Sequence, residues 1–156
     1  GLVKLDIADP INETLALMEH EFKRRHVDIQ VNASNLPKVM GNHSALVQIF
    51  MNLVINALHA MEEQEEGKIE FHAKVEGKAL EIKVRDSGPG IPKEHLDSIF
   101  DAFFTTKGSK GTGLGLCICK EVIEINHRFK LTVSNHPQGG AEFRILIPLE
   151  GEGEDI

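Results

Sequence analysis

The sequence predicts an α+β fold: a two-layer α/β sandwich in which one mixed, mostly antiparallel sheet carries its helices on one face. Three observations point there. Residues 68–75 (KIEFHAKV) and 79–85 (ALEIKVR) alternate apolar and polar across Glu76-Gly77-Lys78, which reads as a hairpin. A second pair, 130–134 and 141–148, lies across Pro137-Gln138-Gly139-Gly140. The helical stretches between them are not arranged as repeated strand–helix–strand units, so a doubly wound parallel sheet is not expected.

Taken in order, residues 9–26 read as a helix, with Asp9 as cap, Pro10 in the first turn, and Ile11, Leu15, Met18 and Phe22 as the buried stripe. VDIQV at 27–31 alternates as a short strand, and 32–41, with Pro37 and Gly41, reads as a loop. Residues 42–64, NHSALVQIFMNLVINALHAMEEQ, form a long helix capped by Asn42 or Ser44 and ended near Gly67. Leu46, Ile49, Phe50, Leu53, Val54, Ala57 and Met61 keep the helical period, and Met51, Ile55 and Leu58 make the far side apolar too. A helix apolar nearly all round is buried. One narrow polar stripe remains: Gln48, Asn52, Asn56 and His59, which helical spacing stacks along one face. Asparagine is a poor helix former, so the stripe either lines a polar cavity or is a wet seam.

After the first hairpin, Asp86-Ser87-Gly88-Pro89-Gly90 breaks the strand. Residues 94–100 read as a short helix. Residues 101–112 lack any periodicity and are expected to be mobile. Gly113–Asn126 reads as a second core helix, with Leu114, Leu116, Ile118, Val122 and Ile125 inward. Residues 1–150 are expected to form one domain, and the acidic tail 151–156 to fray.

With 156 residues, the chain is long enough for one domain with a real core. A net charge of −7 argues against nucleic acid as the main partner. No apolar run reaches membrane-span length, so no membrane contact by this domain is expected. Cys117 and Cys119 sit two apart in a helical stretch without companion ligands, which suits free thiols in a reducing compartment rather than a disulfide or a zinc site.

Two glycine motifs carry candidate chemistry. In DSGPG, the strand end delivers Asp86 to the sheet edge, where a buried carboxylate can accept a hydrogen bond from an amino group. Its glycines let backbone approach a ligand. The same five residues also make a good plain turn. In Gly111-Thr112-Gly113-Leu114-Gly115-Leu116, glycines open a helix, whose free N–H groups favour phosphate. No Gly-Lys-Ser/Thr follows, which excludes a Walker loop. A flexible connector is the plainer alternative, although glycines at a helix start are costly. Between the motifs lies FDAFFTTK, residues 100–107, whose phenylalanines need a place to dock and whose Lys107, like Lys110, can meet phosphates.

The four pieces occur in one order: asparagine helix, DSGPG, FDAFFTTK, GTGLGL. Over residues 10–149 the chain resembles the catalytic, ATP-binding domain of sensor histidine kinases. It is most similar to the nitrogen-regulator type, in NLVINALHAM and FFTTK. The wider superfamily includes gyrase, chaperone and mismatch-repair ATPases and has a Bergerat-type ATP-binding fold. The resemblance implies ATP and Mg²⁺ as cofactors. Asn56 then matches the Mg²⁺ ligand. Asn52 matches the position where the superfamily's hydrolases carry a water-activating glutamate, and an amide cannot be that base. His59 occupies a phosphate-contacting position. Asp86 matches the acceptor of the adenine amino group, with Gly88 and Gly90 shaping the adenine pocket and Ile91 beside them among the nucleotide-binding residues. Residues 92–110, including Thr105, Thr106 and Lys107, match the ATP lid. Gly111, Thr112, Gly113, Leu114 and Gly115 match the phosphate-holding segment and lid hinge.

The resemblance also implies partners: dimerisation helices bearing the phospho-acceptor histidine, and a response regulator. No acceptor histidine is expected within this sequence. His20-Glu21 imitates the start of the acceptor motif, but its proline is missing. A cytoplasmic location follows, with an inner-membrane anchor elsewhere in a parent chain compatible with it. Asn42 replaces a common aspartate, and Ala141 stands where many relatives have threonine near the adenine. Three rival readings fit less well. FDAFFTTK argues against a serine-phosphorylating switch, Asn52 against a gyrase-like hydrolase, and the intact Asn56, Asp86 and glycines against a module that has lost nucleotide binding.

Overall fold

The computed structural model describes residues 1–101, 115–126 and 128–149. A five-stranded sheet runs in the order β2 (Val27–Asn32), β4 (Gly67–Glu76), β5 (Ala79–Asp86), β7 (Ala141–Pro148), β6 (Lys130–Asn135). The β2–β4 pair is parallel and the other pairs are antiparallel, which is the mixed sheet expected. Period two then sorts the residues. Ile69 and Phe71 of β4, Leu80, Ile82 and Val84 of β5, and Phe143, Ile145 and Ile147 of β7 are buried beneath the helices. The other face carries charge: Glu81 is buried there by the Arg144 guanidinium and Lys83, and Arg85 faces Glu70 at 3.8 Å.

Helix α3 (His43–Ala60) lies across the inner face, with Phe50 edge-on to Phe71 at 6.0 Å between ring centroids. Leu46, Ile49, Phe50, Leu53, Val54, Ala57 and Leu58 are all buried, while Ile55 turns outward at 38% exposure. Asn42 is the N-cap: its Oδ1 accepts from the Ala45 N–H at 2.9 Å. The helix stops a turn before the expected Gln64. Glu62, Glu63, Glu65 and Glu66 follow, and acidic side chains oppose the dipole at a helix C-terminus. Arg25 instead donates to the Leu58 carbonyl at 2.8 Å.

Other expectations need correction. The helix over 9–26 is two helices, α1 (Ala8–Leu17) and α2 (Glu19–Arg24), divided at Met18, an arrangement that buries both Met18 and Phe22. Its cap is not Asp9: the Asp6 carboxylate accepts from the Ala8 N–H at 2.9 Å. The expected loop 32–41 contains β3 (Val39–Gly41), which pairs with β1 (Val3–Leu5). Three-residue strands are too short to show alternation. Residues 94–100 form only a 3₁₀ turn, Lys93–His95, and further turns, since a short isolated helix is marginal without a buried stripe.

The second core helix, α4 (Gly115–Glu121), continues as a π turn, Val122–Asn126. Its inward residues are Cys119 and Ile123, with Leu116 and Val122 partly covered, whereas Ile118 is half exposed. Apolar residues surround this stretch, so composition alone does not separate Ile118, which turns outward, from Cys119 and Ile123, which are buried. Leu114, the side chain of Ile125 and the acidic tail lie outside the described residues. Both cysteines are free, and burial pushes the Cys119 thiol up to about 12, which makes it a packing group rather than a nucleophile. Among the described residues, no helix is long and apolar enough to cross a membrane.

The cap gives a stability test. Asn42→Ala should cost about 1 kcal/mol in urea unfolding, whereas Asn42→Asp, which keeps the acceptor oxygen, should cost only a few tenths.

Candidate functional site

β5 turns Leu80, Ile82 and Val84 inward, so period two places Asp86 inward as well. A carboxylate thus ends an otherwise apolar row at 3% exposure. Its Oδ1 accepts from the Gly88 N–H at 2.8 Å and, less closely, from the Ala141 N–H at 3.4 Å. Among the described residues, Oδ2 has no hydrogen-bond partner. Burial raises the carboxyl's pKa above the usual range; the two N–H donors and the Arg85 guanidinium oppose that rise.

Close backbone approach surrounds this carboxylate. A Cβ on Gly88 would stand 2.9 Å from Asp86 Oδ1 and 3.1 Å from the Ala60 carbonyl oxygen, so the loop after β5 sits directly on the end of α3. Gly140, in the β6–β7 turn, has φ +85°, and a Cβ there would fall 1.8 Å from the Asp86 carbonyl oxygen. Only glycine suits that conformation and that space. Neither Gly140 nor Asn135 was identified from sequence as part of the site. The Gly139-Gly140 pair is the available signal, and in sequence it looks like an ordinary turn.

Through Ala60 the Asp86 loop joins the asparagine stripe. Asn56 lies one turn back along α3 and Asn52 two turns back, about 6 and 12 Å along the axis at the helical rise. Both are half-buried, as is His59 in the last turn, while Gln48 at the head of the stripe is exposed. A Cβ on Gly115, the first residue of α4, would stand 3.7 Å from Asn52 Oδ1. The fold therefore sets Asp86 and Gly88 at one end of a helix face and Asn52 with Gly115 at the other, with Asn56 between; Gly90 and Ile91 follow in the same loop, held against Asn135 of β6. Thr105, Thr106, Lys107, Gly111, Thr112, Gly113 and Leu114 lie outside the described residues, as does the expected lid over 102–110. His20 is exposed on α2, remote in sequence from every one of these groups.

Among the described residues, no cluster of three or more His, Cys, Asp or Glu side chains could hold a metal. The amide oxygens of the α3 stripe suit a hard cation that takes most of its ligands from phosphate and water. Two clefts lie away from this face: about 230 Å³ beside Arg25, His26 and Met61, and about 460 Å³ beside Ala8, Asn12 and Val31. Neither contains a residue of the stripe or of the Asp86 loop.

Asp86 makes the unliganded fold pH-sensitive. Its folded-state pKa lies above the unfolded value, so the folded chain holds the proton more tightly. The contribution to stability is present below the unfolded pKa and is lost as pH rises through the folded one. Asp86→Asn should remove that loss. In urea unfolding without ligand, the stability of the variant relative to wild type should grow between about pH 4 and about pH 7. A constant difference would contradict the burial argument.

Comparison with known proteins places this geometry. Residues 41–151 match the family of histidine kinase-, DNA gyrase B-, and HSP90-like ATPases. The chain is 33% identical over 153 residues to the sensor histidine kinase TmoS of Ectopseudomonas mendocina, covering 95% of this chain but 16% of TmoS. It therefore spans only a small part of that relative's length. The nucleotide-free catalytic domain of the histidine kinase ThkA superimposes with a TM-score of 0.82 at 32% identity, covering 95% of this chain and 97% of that one. ThkA solved with the response regulator TrrA matches with a TM-score of 0.78 at 30% identity, over 94% of this chain and 41% of that one. The chain belongs to the histidine kinase-, DNA gyrase B- and HSP90-like ATPase family, in its sensor histidine kinase branch.

Proposed function

We propose that residues 1–150 bind Mg²⁺-ATP and present its γ-phosphoryl group to a histidine on dimerisation helices outside this sequence, in the cytoplasm. The observation that carries the reading is Asp86: a buried carboxylate with one oxygen held by backbone N–H groups and the other without a partner among the described residues. That second oxygen accepts a hydrogen bond from the adenine 6-amino group. Guanine presents an oxygen at that place, which the carboxylate repels. Gly88, Gly90 and Ile91 form the wall against the base, and Asn56 lies toward the phosphates.

Mg²⁺, when bound, offsets the charge of the phosphate oxygens. Asn56 would supply one amide oxygen to it, the rest coming from phosphate and water. His59, Thr105, Thr106, Lys107 and the segment Gly111, Thr112, Gly113, Leu114 and Gly115 complete the phosphate contacts. Asn52 carries an amide where a general base would be needed to activate water. Transfer is then favoured over hydrolysis, and the chain's part is positioning and charge. The similarity to ThkA, solved with a response regulator, supports a partner of that class. NLVINALHAM and FFTTK support the nitrogen-regulator type.

Calorimetry should find ATP bound in preference to GTP, and Asp86→Asn should weaken ATP by about 1.5–3 kcal/mol. Equal affinity for the two nucleotides would defeat the assignment of Asp86. Asn56→Ala should leave the melting temperature near wild type but abolish the gain in ATP affinity on adding Mg²⁺. With radiolabelled ATP, this chain alone should not label itself, and a cognate dimerisation hairpin should restore transfer. An acid-labile label lost in His20→Ala would identify His20 as the acceptor and overturn the expectation.

A further inference from the structure

We propose that Asn135 is a positioning residue for adenine recognition, acting through the Asp86–Ile91 loop; the inference rests on the nucleotide reading of Asp86. Asn135 is the last residue of β6, paired in register with Ala141 of β7. Its side chain behaves like a short strand. Oδ1 accepts from the Ile91 N–H at 2.7 Å, and Nδ2 donates to the Ile91 carbonyl at 2.7 Å. Both backbone groups of one loop residue are thus held by one amide, which can donate and accept at once.

The same hairpin holds the other end of the loop. Ala141 N–H reaches Asp86 Oδ1, Gly140 packs on the Asp86 carbonyl, and the Arg85 guanidinium donates to the Gly139 carbonyl at 3.1 Å. Residues 86–91 are therefore clasped at both ends by the β6–β7 turn. Between the clasps, Gly88 donates the N–H that orients the Asp86 carboxylate. Gly90 fits the same arrangement. Its φ is +83°, and a Cβ there would stand 2.8 Å from Asn135 Oδ1. Loosening Ile91 frees Gly88 to move, and with it the carboxylate oxygen that meets the base. Asn135 itself is exposed, so its replacement removes the clasp without opening the core.

The test uses Asn135→Ala and Asn135→Asp with three readouts: calorimetric ATP affinity, hydrogen exchange at the Gly88 amide, and melting temperature. Asn135→Ala should lower ATP affinity about five- to tenfold, the scale of one hydrogen bond's net worth. It should also deprotect the Gly88 amide while the melting temperature stays near wild type. Asn135→Asp keeps an acceptor for the Ile91 N–H and should recover part of the affinity. Unchanged ATP affinity in Asn135→Ala would overturn the proposal. So would weakened binding with Gly88 still protected, or a loss that simply follows melting temperature. Should wild type and Asp86→Asn bind ATP equally, the reading of Asp86 itself fails and the role of Asn135 falls with it.

Discussion

Everything around the site follows from keeping a carboxylate out of water at the end of an apolar row. Burying a charged group is costly unless it is hydrogen-bonded. The fold meets that demand with backbone rather than with a partner cation: Gly88 supplies an N–H from the loop after β5, and Ala141 one from the first position of β7, just past the β6–β7 loop. For those loops to come near enough, the positions beside Asp86 must lack side chains. Gly88 presses on Ala60 and Gly140 on the Asp86 carbonyl, so helix, central strand and distal hairpin converge around one residue. Backbone donors leave the second oxygen available, which a salt-bridging arginine would not.

The long helix supplies the other half of the arrangement. Its core side is fixed by Phe50, Leu53, Val54 and Ala57 against the sheet. That anchorage sets the rotation of the helix, and rotation sets where Asn52, Asn56 and His59 point. A carboxylate at the stripe's midpoint would add charge and a base; amides add oxygen donors without either. In the proposed site, one carboxylate stands toward the base and the amides of Asn52 and Asn56 toward the phosphates, where the ligand brings its own charge.

Much of this could be read from sequence because the deciding signals are local. Alternation in KIEFHAKV and ALEIKVR marks a hairpin, and helical period marks the residues of α3 that bury. Asp86 was legible because strand alternation points it inward at a glycine-rich break. Asn135, Gly140 and the inward face of α4 were not. Asn135 matters through a contact 44 residues away, and nothing beside it in the chain signals Ile91. Gly140 looks like any turn glycine until the Asp86 carbonyl is laid against it. In α4 and the π turn after it, Leu116, Ile118, Cys119, Val122 and Ile123 are all apolar, and only packing against Ile49 chooses Cys119 over Ile118.

The neighbourhood of β5 also bears on how such a domain can change. Its two sheet partners are reached very differently. β4 precedes it across the two residues Gly77 and Lys78, whereas β7 begins only at Ala141. Between β5 and β7 the described residues supply the Asp86–Ile91 loop, α4 and the edge strand β6, and the two ends meet where Ala141 N–H reaches Asp86. Closing a flexible loop costs only about 0.6 kcal/mol more for each doubling of its length. That low cost applies to a turn such as Gly77-Lys78, not to the stretch that carries α4 and β6, whose residues are held by packing and register. Length is cheapest to change where no site or core group is involved, and the β4–β5 turn, with open space around Gly77, is such a place, so the end of the sheet far from Asp86 is where the domain can vary without disturbing the site.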